Sequence, residues 1–480
     1  MKKIFISGAL LMGSLAMMAG GVVTNTNMST AYLRNPAREG AIDVDGVYFN
    51  PAGTAFLKNG IHVEVSFASA FQERTSEITY APFALNMNRL GQTKHSYTGK
   101  ATAPVIPAIH LAYNWDRWNI QAGFNIIGGG GKCKFNNGLG MFEEVLATSA
   151  AQIQGLIGKD TRYSLNQSVT GESYQYGLFI GTSYEVIKDH LSISLGAQGV
   201  YAFNHYKGGV RNMQIMMGDN FDIPAWQYLA GAAAQMEAAG QTEKAQQLLY
   251  VSNMLQEKLA DIELDCRQSG FGLTPVIGID YKVNDKLNIS ARWQFQTYLE
   301  LKNKAKNNEA AAKNEKIGNF QDGKKIRADI PGYFSCGIQY APIEQLRLAA
   351  SYRYFDEAHA KRDMSGKGNS NEKNKGTHEP SVAIEWDIIK YVTFSCGYTS
   401  GIFTNTKDEM SELDFQLTNH SVLAGFRFNI NENWRIDLGY MHTFYNKRTV
   451  TKTTDLADVP YTARFSRKND VFGIGVSCSY

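Results

Sequence analysis

Strict alternation of side chains is the feature that most constrains how this chain folds. The last residues alternate large apolar with small side chains, reading Phe472, Gly473, Ile474, Gly475, Val476, Ser477, Cys478, Ser479 and Tyr480. A period of two places successive side chains on opposite faces of a β-strand, so this segment is a strand with one apolar face. The same pattern recurs along the chain, which is therefore predicted to be all-β.

Counting every alternating segment gives the size of the sheet. Fourteen strands are predicted, near residues 60–70, 103–115, 118–128, 172–186, 191–207, 270–282, 287–302, 328–341, 346–358, 379–387, 391–401, 418–429, 434–448 and 467–480. The connections alternate between tight turns and long loops. An even strand number with short turns on one rim and long loops on the other is typical of a bacterial transmembrane barrel. We therefore predict an antiparallel 14-stranded barrel over residues 60–480, whose apolar faces contact membrane lipid.

Aromatic residues support this orientation. Five of them flank the predicted short turns, namely Trp115, Trp118, Tyr281, Tyr391 and Trp434. Aromatic side chains are enriched where a membrane protein meets the lipid–water interface. The short turns are therefore placed on the periplasmic side, and the long loops outside the cell.

Composition excludes several other classes of protein. Beyond the first twenty residues there is no run of about 18 apolar residues, which a helical membrane bundle needs. The net charge of +3 balances 48 basic and 45 acidic residues spread along the chain, so no nucleic-acid partner is expected. The cysteines lack metal-ligand spacing, and no metal site is predicted. Cys133 and Cys266 fall in predicted outer loops, where a disulfide and two free thiols are both compatible with the sequence.

The residues outside the predicted strands fall into three kinds of segment. Residues 1–19 combine Lys2 and Lys3 with an apolar stretch and small residues, which is typical of a secretory signal peptide cleaved within a few residues of that end. Residues 20–59 do not alternate and are predicted to form a separate N-terminal unit. Helical periodicity predicts insertions near 141–158 and 225–264, either as a lid over the barrel mouth or as a docking groove for an apolar ligand.

The N-terminal unit contains a recognisable motif. Gly40 follows Glu39, and Asn50, Pro51 and Ala52 precede the first strand. In these residues the chain resembles the FadL/TodX family of outer-membrane transporters for hydrophobic compounds. The resemblance implies that residues 20–59 plug the barrel lumen, although a second Asn-Pro-Ala at residues 35–37 departs from the family pattern.

The resemblance also implies a function. The chain is expected to be a monomer in the outer membrane of a Gram-negative bacterium, surrounded by lipid, that passively takes up hydrophobic small molecules. Long-chain fatty acids are the expected substrate, and aromatic hydrocarbons or haem are the alternatives. No catalytic residue, cofactor or metal is implied. A structural or adhesive barrel and a general porin are competing functions; an outer-membrane hydrolase is opposed by the lack of a nucleophile motif around His420 and Ser421.

Family resemblance further implies that the ligand leaves sideways through the third strand. That strand runs into Gly128, Gly129, Gly130 and Gly131, and such glycines can interrupt a hydrogen-bond ladder. The same glycines are also compatible with the start of a flexible loop.

Candidate ligand contacts come from the inward face of the strands. The alternation points five arginines into the lumen, namely Arg292, Arg347, Arg353, Arg427 and Arg435. Each can bind a ligand carboxylate or pair with a carboxylate such as Asp437 or Glu385. Arg292 and Arg427 are predicted ligand contacts, and Leu423 and Met441 are predicted apolar contacts.

Overall fold

A computed structural model describes residues 29–306, 320–361, 375–404, 410–412, 415–454 and 459–480. The predicted signal peptide lies outside these residues. Within them, no helix is both long and apolar enough to cross a membrane. All strands of the described residues join one sheet, whose first and last members pair with each other.

Fourteen wall strands form this sheet. They are β1 (Gly60–Thr79), β2 (Lys94–Trp115), β3 (Trp118–Phe135), β4 (Arg162–Ile187), β5 (Leu191–Met217), β6 (Ile262–Asn284), β7 (Leu287–Gln294 and Glu300–Ala305), β8 (Lys325–Arg327 and Tyr333–Ile343), β9 (Leu346–Phe355), β10 (Thr377–Ile389), β11 (Val392–Phe403), β12 (Asn419–Asn429), β13 (Trp434–Tyr445 and Arg448–Thr453) and β14 (Pro460–Ser479). A two-residue strand, Ile223–Pro224, pairs with the end of β5.

Helices occupy the segments between or before the wall strands. Two short ones precede β1, α1 (Thr30–Arg34) and α2 (Gly46–Phe49), followed by a 3-10 turn at Gly53–Phe56. Another 3-10 turn, Ala81–Leu85, joins β1 to β2. The long outer loops carry α3 (Gly140–Ile157), α4 (Ala225–Ala238) and α5 (Thr242–Lys258).

The barrel is closed by β1 and β14. They pair antiparallel from His62 opposite Ser479 to Thr79 opposite Thr462, so the fourteen wall strands close into a barrel. The predicted fold class and strand count are confirmed. Sequence alternation failed mainly at the outer strand ends: β4 and β5, for example, extend about ten residues beyond their predicted loop ends. There the outward face carries exposed polar residues such as Asn166 and Arg211, while the inward face packs Tyr163 and Ile215 into the apolar cluster of the outer loops, so the apolar-outward pattern of the membrane segment is lost.

One predicted boundary is wrong. The helical periodicity placed Ile262 and Leu264 in a helix, but α5 ends at Lys258 and both residues belong to β6. Ile262 pairs with Val210 of β5, and its side chain is buried with those of α5. The helical spacing arose because helix and strand bury their apolar residues in the same cluster.

The outside of the barrel is apolar. On β14, Phe472 and Ile474 are exposed, whereas Val471 on the opposite face is buried. The five predicted girdle aromatics beside the short turns are all exposed as well. Exposed apolar side chains on this scale are stable only against lipid, so this wall spans a membrane, and its long loops and short turns lie on opposite sides.

The extracellular mouth is covered by its own apolar core. Leu146 and Ile153 of α3, Leu229 of α4 and Leu255 of α5 are buried in one cluster with Phe415 of the β11–β12 loop. The helical loops thus pack against each other and the rim. Of the two sequence interpretations, this packing corresponds to the lid.

Candidate functional site

The N-terminal segment, residues 29–59, lies inside the barrel up to Leu57, and Lys58 and Asn59 are exposed. Its first half is held by ion pairs to the wall. Arg34 of α1 is fully buried, with Nη1 2.8 Å from Glu385 of β10 and Nε 3.1 Å from Asp437 of β13. Asp43 accepts from Arg427 at 2.9 Å and from Arg435 at 3.0 Å. Charged groups on β10, β12 and β13 thereby fix this half of the segment.

The second half is held by hydrogen bonds around the Asn-Pro-Ala motif, without an arginine. The Asn50 amide donates to Asp280 of β6 and to the carbonyl of Ala41, while its own oxygen accepts from the Gly53 amide. The carbonyl of Pro51 accepts from Gln121 of β3, and that of Ala52 from Ser192 of β5. The motif therefore joins the segment to the opposite side of the barrel.

The earlier Asn-Pro-Ala, at residues 35–37, makes comparable contacts on the other wall. The Asn35 side chain accepts from the Ala37 amide, and the carbonyl of Pro36 accepts from Arg353 of β9. Ala37 packs against Ala349 and Ala383. This second Asn-Pro-Ala, which departs from the family pattern, thus forms a second contact between the segment and the wall.

Gly40 lies directly against the backbone of wall strand β8. A Cβ on Gly40 would lie 2.5 Å from the backbone carbonyl carbon of Ile338, and Gly337 of β8 leaves matching space beside Glu39. The Gly40 carbonyl accepts from Asn288, and the Glu39 carboxylate pairs with Arg353. Only glycine permits this contact.

We expect Gly40→Ala to loosen the N-terminal segment, because the added methyl meets backbone that cannot rotate away. The cost should be about 1–3 kcal/mol, as for other overpacked sites. The measurement is hydrogen exchange of the segment's amides in detergent-solubilised protein. Gly155→Ala on α3 is the control, since a Cβ there has no atom within 4 Å. Equal exchange in both variants would contradict this account of Gly40.

The inward arginines differ in their partners. Arg347 pairs with Asp387, Arg353 with Glu39, and Arg427 and Arg435 with Asp43. Arg427 also pairs with Asp437, so this predicted ligand contact is occupied by carboxylates of the protein. These four arginines anchor the N-terminal segment or neutralise wall carboxylates.

Arg292 of β7 is the exception. It is buried, and its Nη2 donates to Gln294 at 2.9 Å. Its Nε and Nη1 have no hydrogen-bond partner among the described residues. No carboxylate of the described residues lies within ion-pair distance of the Arg292 guanidinium. The guanidinium instead lies over the rings of Tyr333 and Tyr48, 4.7 and 5.3 Å from their centroids. Aromatic faces stabilise a cation but leave its N–H groups free to bind an anion.

An apolar cluster occupies the lumen next to this cation. It combines residues of the N-terminal segment with residues of strands on both sides of the lumen, namely Tyr32, Leu33, Tyr48, Phe49, Ala68, Ile127, Val200, Ala202, Leu299, Leu301, Ile330, Leu423, Met441 and Val471. Leu423 and Met441, the predicted apolar contacts, are both in it. Tyr48 belongs to the cluster and also faces Arg292, so apolar surface and cation adjoin.

The ladder between β2 and β3 is interrupted at the predicted glycines. Pairing runs from Gly99 opposite Phe135 to Thr102 opposite Lys132, and resumes at Ala108 opposite Asn125. The two strands do not pair with each other over residues 103–107 of β2 and 126–131 of β3. Gly129 and Gly131 have φ of 95° and 68°, and the register to β4 shifts twice there. The glycines thus lie within a strand, not at the start of a loop.

Sequence reasoning missed the other side of this interruption. Pro104 and Pro107 of β2 face it, and proline lacks the N–H that a central strand needs. The register between β1 and β2 also shifts here, between Ala68 and Ala70. Two prolines in a predicted central strand were the available signal for a break in the wall.

Two buried carboxylates hold α3 on the mouth. Glu143 accepts from Asn86 at 2.7 Å, Tyr97 at 2.5 Å and Tyr163 at 2.7 Å. Burial alone would raise the pKa of Glu143, but His95, 3.0 Å away, and these tyrosines outweigh it and lower the pKa. Glu412 accepts from the amides of Gly140 and Met141 at the start of α3, yet burial raises its pKa to about 7.

Docking of α3 should therefore weaken as the pH rises from about 4.5 to about 7. The folded protein holds the Glu412 proton in this window, where an unfolded glutamate with the ordinary pKa of 4.5 releases it, so folded stability falls with increasing pH. Glu143 titrates below the window, because its pKa is lowered. The measurement is the protection factor of the α3 amides against hydrogen exchange at pH 5 and pH 8, corrected for the intrinsic pH dependence of exchange, and Glu412→Gln should remove the difference in protection. A pH response that persists in Glu412→Gln would refute the assignment.

All five cysteines are free thiols, including Cys133 on β3 and Cys266 on β6. The disulfide that the sequence left open does not form. Among the described residues, no group of three or more His, Cys, Asp or Glu side chains is placed to hold a metal ion.

Comparisons with known proteins point to one barrel type. The sequence matches no protein-family model and no curated protein. The fold matches a crystal structure described as a Pseudomonas aeruginosa FadL homologue, with a TM-score of 0.62, 12% identity and coverage of 96% of this chain and 99% of the other. The chain has the FadL/TodX barrel fold. The predicted resemblance is confirmed at the level of fold.

Two further structures with the FadL/TodX fold are described as toluene transporters. Pseudomonas putida TodX gives a TM-score of 0.55 at 12% identity, covering 96% of this chain and 100% of the other. Ralstonia pickettii TbuX gives 0.51 at 14% identity, covering 96% and 99%. The FadL/TodX fold together with the apolar outer wall confirms the prediction of an outer-membrane barrel.

Proposed function

We propose that this protein takes up hydrophobic small molecules across the outer membrane, and that its preferred substrates are long-chain fatty acids. It acts as a passive channel without catalysis, and the N-terminal segment plugs the lumen. The observation that carries the proposal is Arg292, a buried cation with free N–H groups beside an apolar lumen cluster. An amphiphile with one carboxylate matches both parts of this site.

The chemistry of Arg292 favours a carboxylate over a neutral ligand. A buried guanidinium without an anion is costly, and a carboxylate accepting from Nε and a terminal nitrogen relieves that cost through charge-assisted hydrogen bonds. Toluene and other aromatic hydrocarbons offer no acceptor. They remain the second candidate, because two of the solved structures with the same fold are described as toluene transporters.

Lateral exit through the wall is part of the proposal. The interrupted stretch of β2 and β3 lacks ladder pairing, and Ile127 beside it belongs to the apolar lumen cluster. An apolar ligand in that cluster therefore lies next to a stretch of wall without β2–β3 pairing. Exit at this level delivers the ligand into lipid without passing through the plug or water.

A reversible disulfide across the interrupted stretch should block transport. A Cβ on Gly131 would lie 3.3 Å from the Cβ of Ala103, close to the separation in a disulfide. The variant is Ala103→Cys with Gly131→Cys, made with Cys133→Ala to prevent mispairing. Oxidised protein should lose most fatty-acid uptake into cells, and reduction should restore it. The reduced form of the same variant is the control. Equal uptake by the oxidised and reduced forms would contradict lateral exit through this stretch.

A further inference from the structure

A polar cavity of about 250 Å³ lies between the N-terminal segment and the wall, at the end of the barrel with the short turns. Five arginines line it: Arg34 and Arg38 from the segment, and Arg347, Arg427 and Arg435 from β9, β12 and β13. Asp43, Glu385 and Asp387 are the acidic residues of the lining. The side chains of Arg347 and Arg435 are each 24% exposed, so the cavity can be reached from the periplasm.

The carboxylates of this lining already have guanidinium partners. Asp43 contacts Arg435 through Oδ1 and Arg427 through Oδ2. Both oxygens of Asp387 accept from Arg347 at 2.7 Å. Glu385 contacts Arg34 through Oε1 and Arg347 through Oε2, at 2.8 and 3.3 Å. The acidic groups therefore have little capacity to bind a further cation or donor.

Hydrogen-bond donors, by contrast, are in surplus. Each guanidinium carries five N–H bonds. Counting Asp45 on Arg38 and Asp437 on Arg34 and Arg427 behind the lining, the cluster has one carboxylate per arginine, and these do not accept from every N–H. Arg34 has no exposed surface, and its Nη2 has no hydrogen-bond partner among the described residues. It is a buried, charged donor in the lining of a cavity, and such donors favour an acceptor that is itself charged.

We propose that this cavity binds a small oxyanion from the periplasm, carrying a carboxylate or phosphate group. The volume lies just below the range of drug-sized ligand pockets, so it suits an anion with few heavy atoms. The lining comes from both the N-terminal segment and the wall. A bound anion therefore bridges the two and stabilises the seated segment, independently of which hydrophobic substrate the lumen takes.

The test uses full-length purified protein in detergent, with inorganic phosphate and succinate as probes at constant ionic strength. Isothermal titration should show saturable binding of at least one probe, and the same probe should raise the melting temperature relative to chloride. A ligand that binds only the folded state stabilises it by mass action. The two probes distinguish tetrahedral from planar oxyanions.

Arg435→Gln is the informative variant, because Asp43 keeps its contacts to Arg38 and Arg427 without it. It should weaken probe binding by roughly tenfold, the usual loss for one charge-assisted contact. Arg211→Gln is the matched control, since Arg211 is exposed near the outer end of β5 and pairs only at the surface with Glu263. Absence of saturable binding by both probes, or equal affinity in Arg435→Gln and the native protein, would overturn the proposal. Either result leaves the fatty-acid assignment untouched.

Discussion

Removing residues 29–56 should convert the barrel into an ion-conducting pore. These residues are nearly all buried inside the wall, and a barrel of this strand number has an interior too wide for wall side chains to fill. Single-channel conductance in planar bilayers should rise by roughly tenfold or more over the intact protein, as expected when an aqueous lumen replaces a plugged one.

Two controls make this result interpretable. Heat-modifiable electrophoretic mobility should show that the shortened barrel is folded, because the wall closes through β1 and β14 without the segment. Gly40→Ala should raise conductance far less, since it loosens the segment but leaves it in the lumen. Unchanged conductance in a folded, shortened barrel would mean that the segment is not the plug.

Replacing Arg292 should lower the affinity for charged ligands and not that for neutral ligands. Arg292→Gln keeps a polar side chain of similar length but removes the cation, so the affinity for a fatty acid should fall by about 1.5–3 kcal/mol, roughly ten- to a hundredfold. The affinity for toluene should change little. Binding is measured by equilibrium dialysis of labelled ligand with purified protein.

A ligand matched to the substitution provides the control. Decanol has the chain of decanoate without the charge, so only decanoate should respond to Arg292→Gln. Equal losses for decanol and decanoate would show that Arg292 supports the lumen packing of Tyr48 and Tyr333, and would remove its assigned role as a carboxylate contact.

The sequence could predict the wall because alternation is a local property. Membrane on one side and lumen on the other impose a period of two on every strand, so β14 can be predicted from its own residues. The outer strand ends were missed, since there the outward face meets water and the inward face packs in the apolar cluster of the outer loops, which reverses the apolar-outward alternation. Ile262 was misassigned because α5 and β6 bury apolar residues in one cluster.

The site could be predicted only in part. Alternation showed that Arg292 and Arg427 point inward, but not which of them meets a carboxylate. That depends on Asp43, more than 380 positions from Arg427 in sequence and in contact with it through the fold alone. Likewise, Gly129 and Gly131 indicated an interruption in the β2–β3 ladder. How far the interruption extends could be inferred only together with the opposing prolines of β2.

Uptake by living cells shows whether the channel carries fatty acids. The protein is expressed in a Gram-negative host that lacks its own fatty-acid channel, and the entry of labelled long-chain fatty acid is followed over minutes beside that of labelled toluene. We expect the native protein to restore fatty-acid entry, and Arg292→Gln, present at equal levels in the outer membrane, to restore much less. Toluene entry restored without fatty-acid entry would contradict this expectation and assign the channel to neutral aromatic compounds.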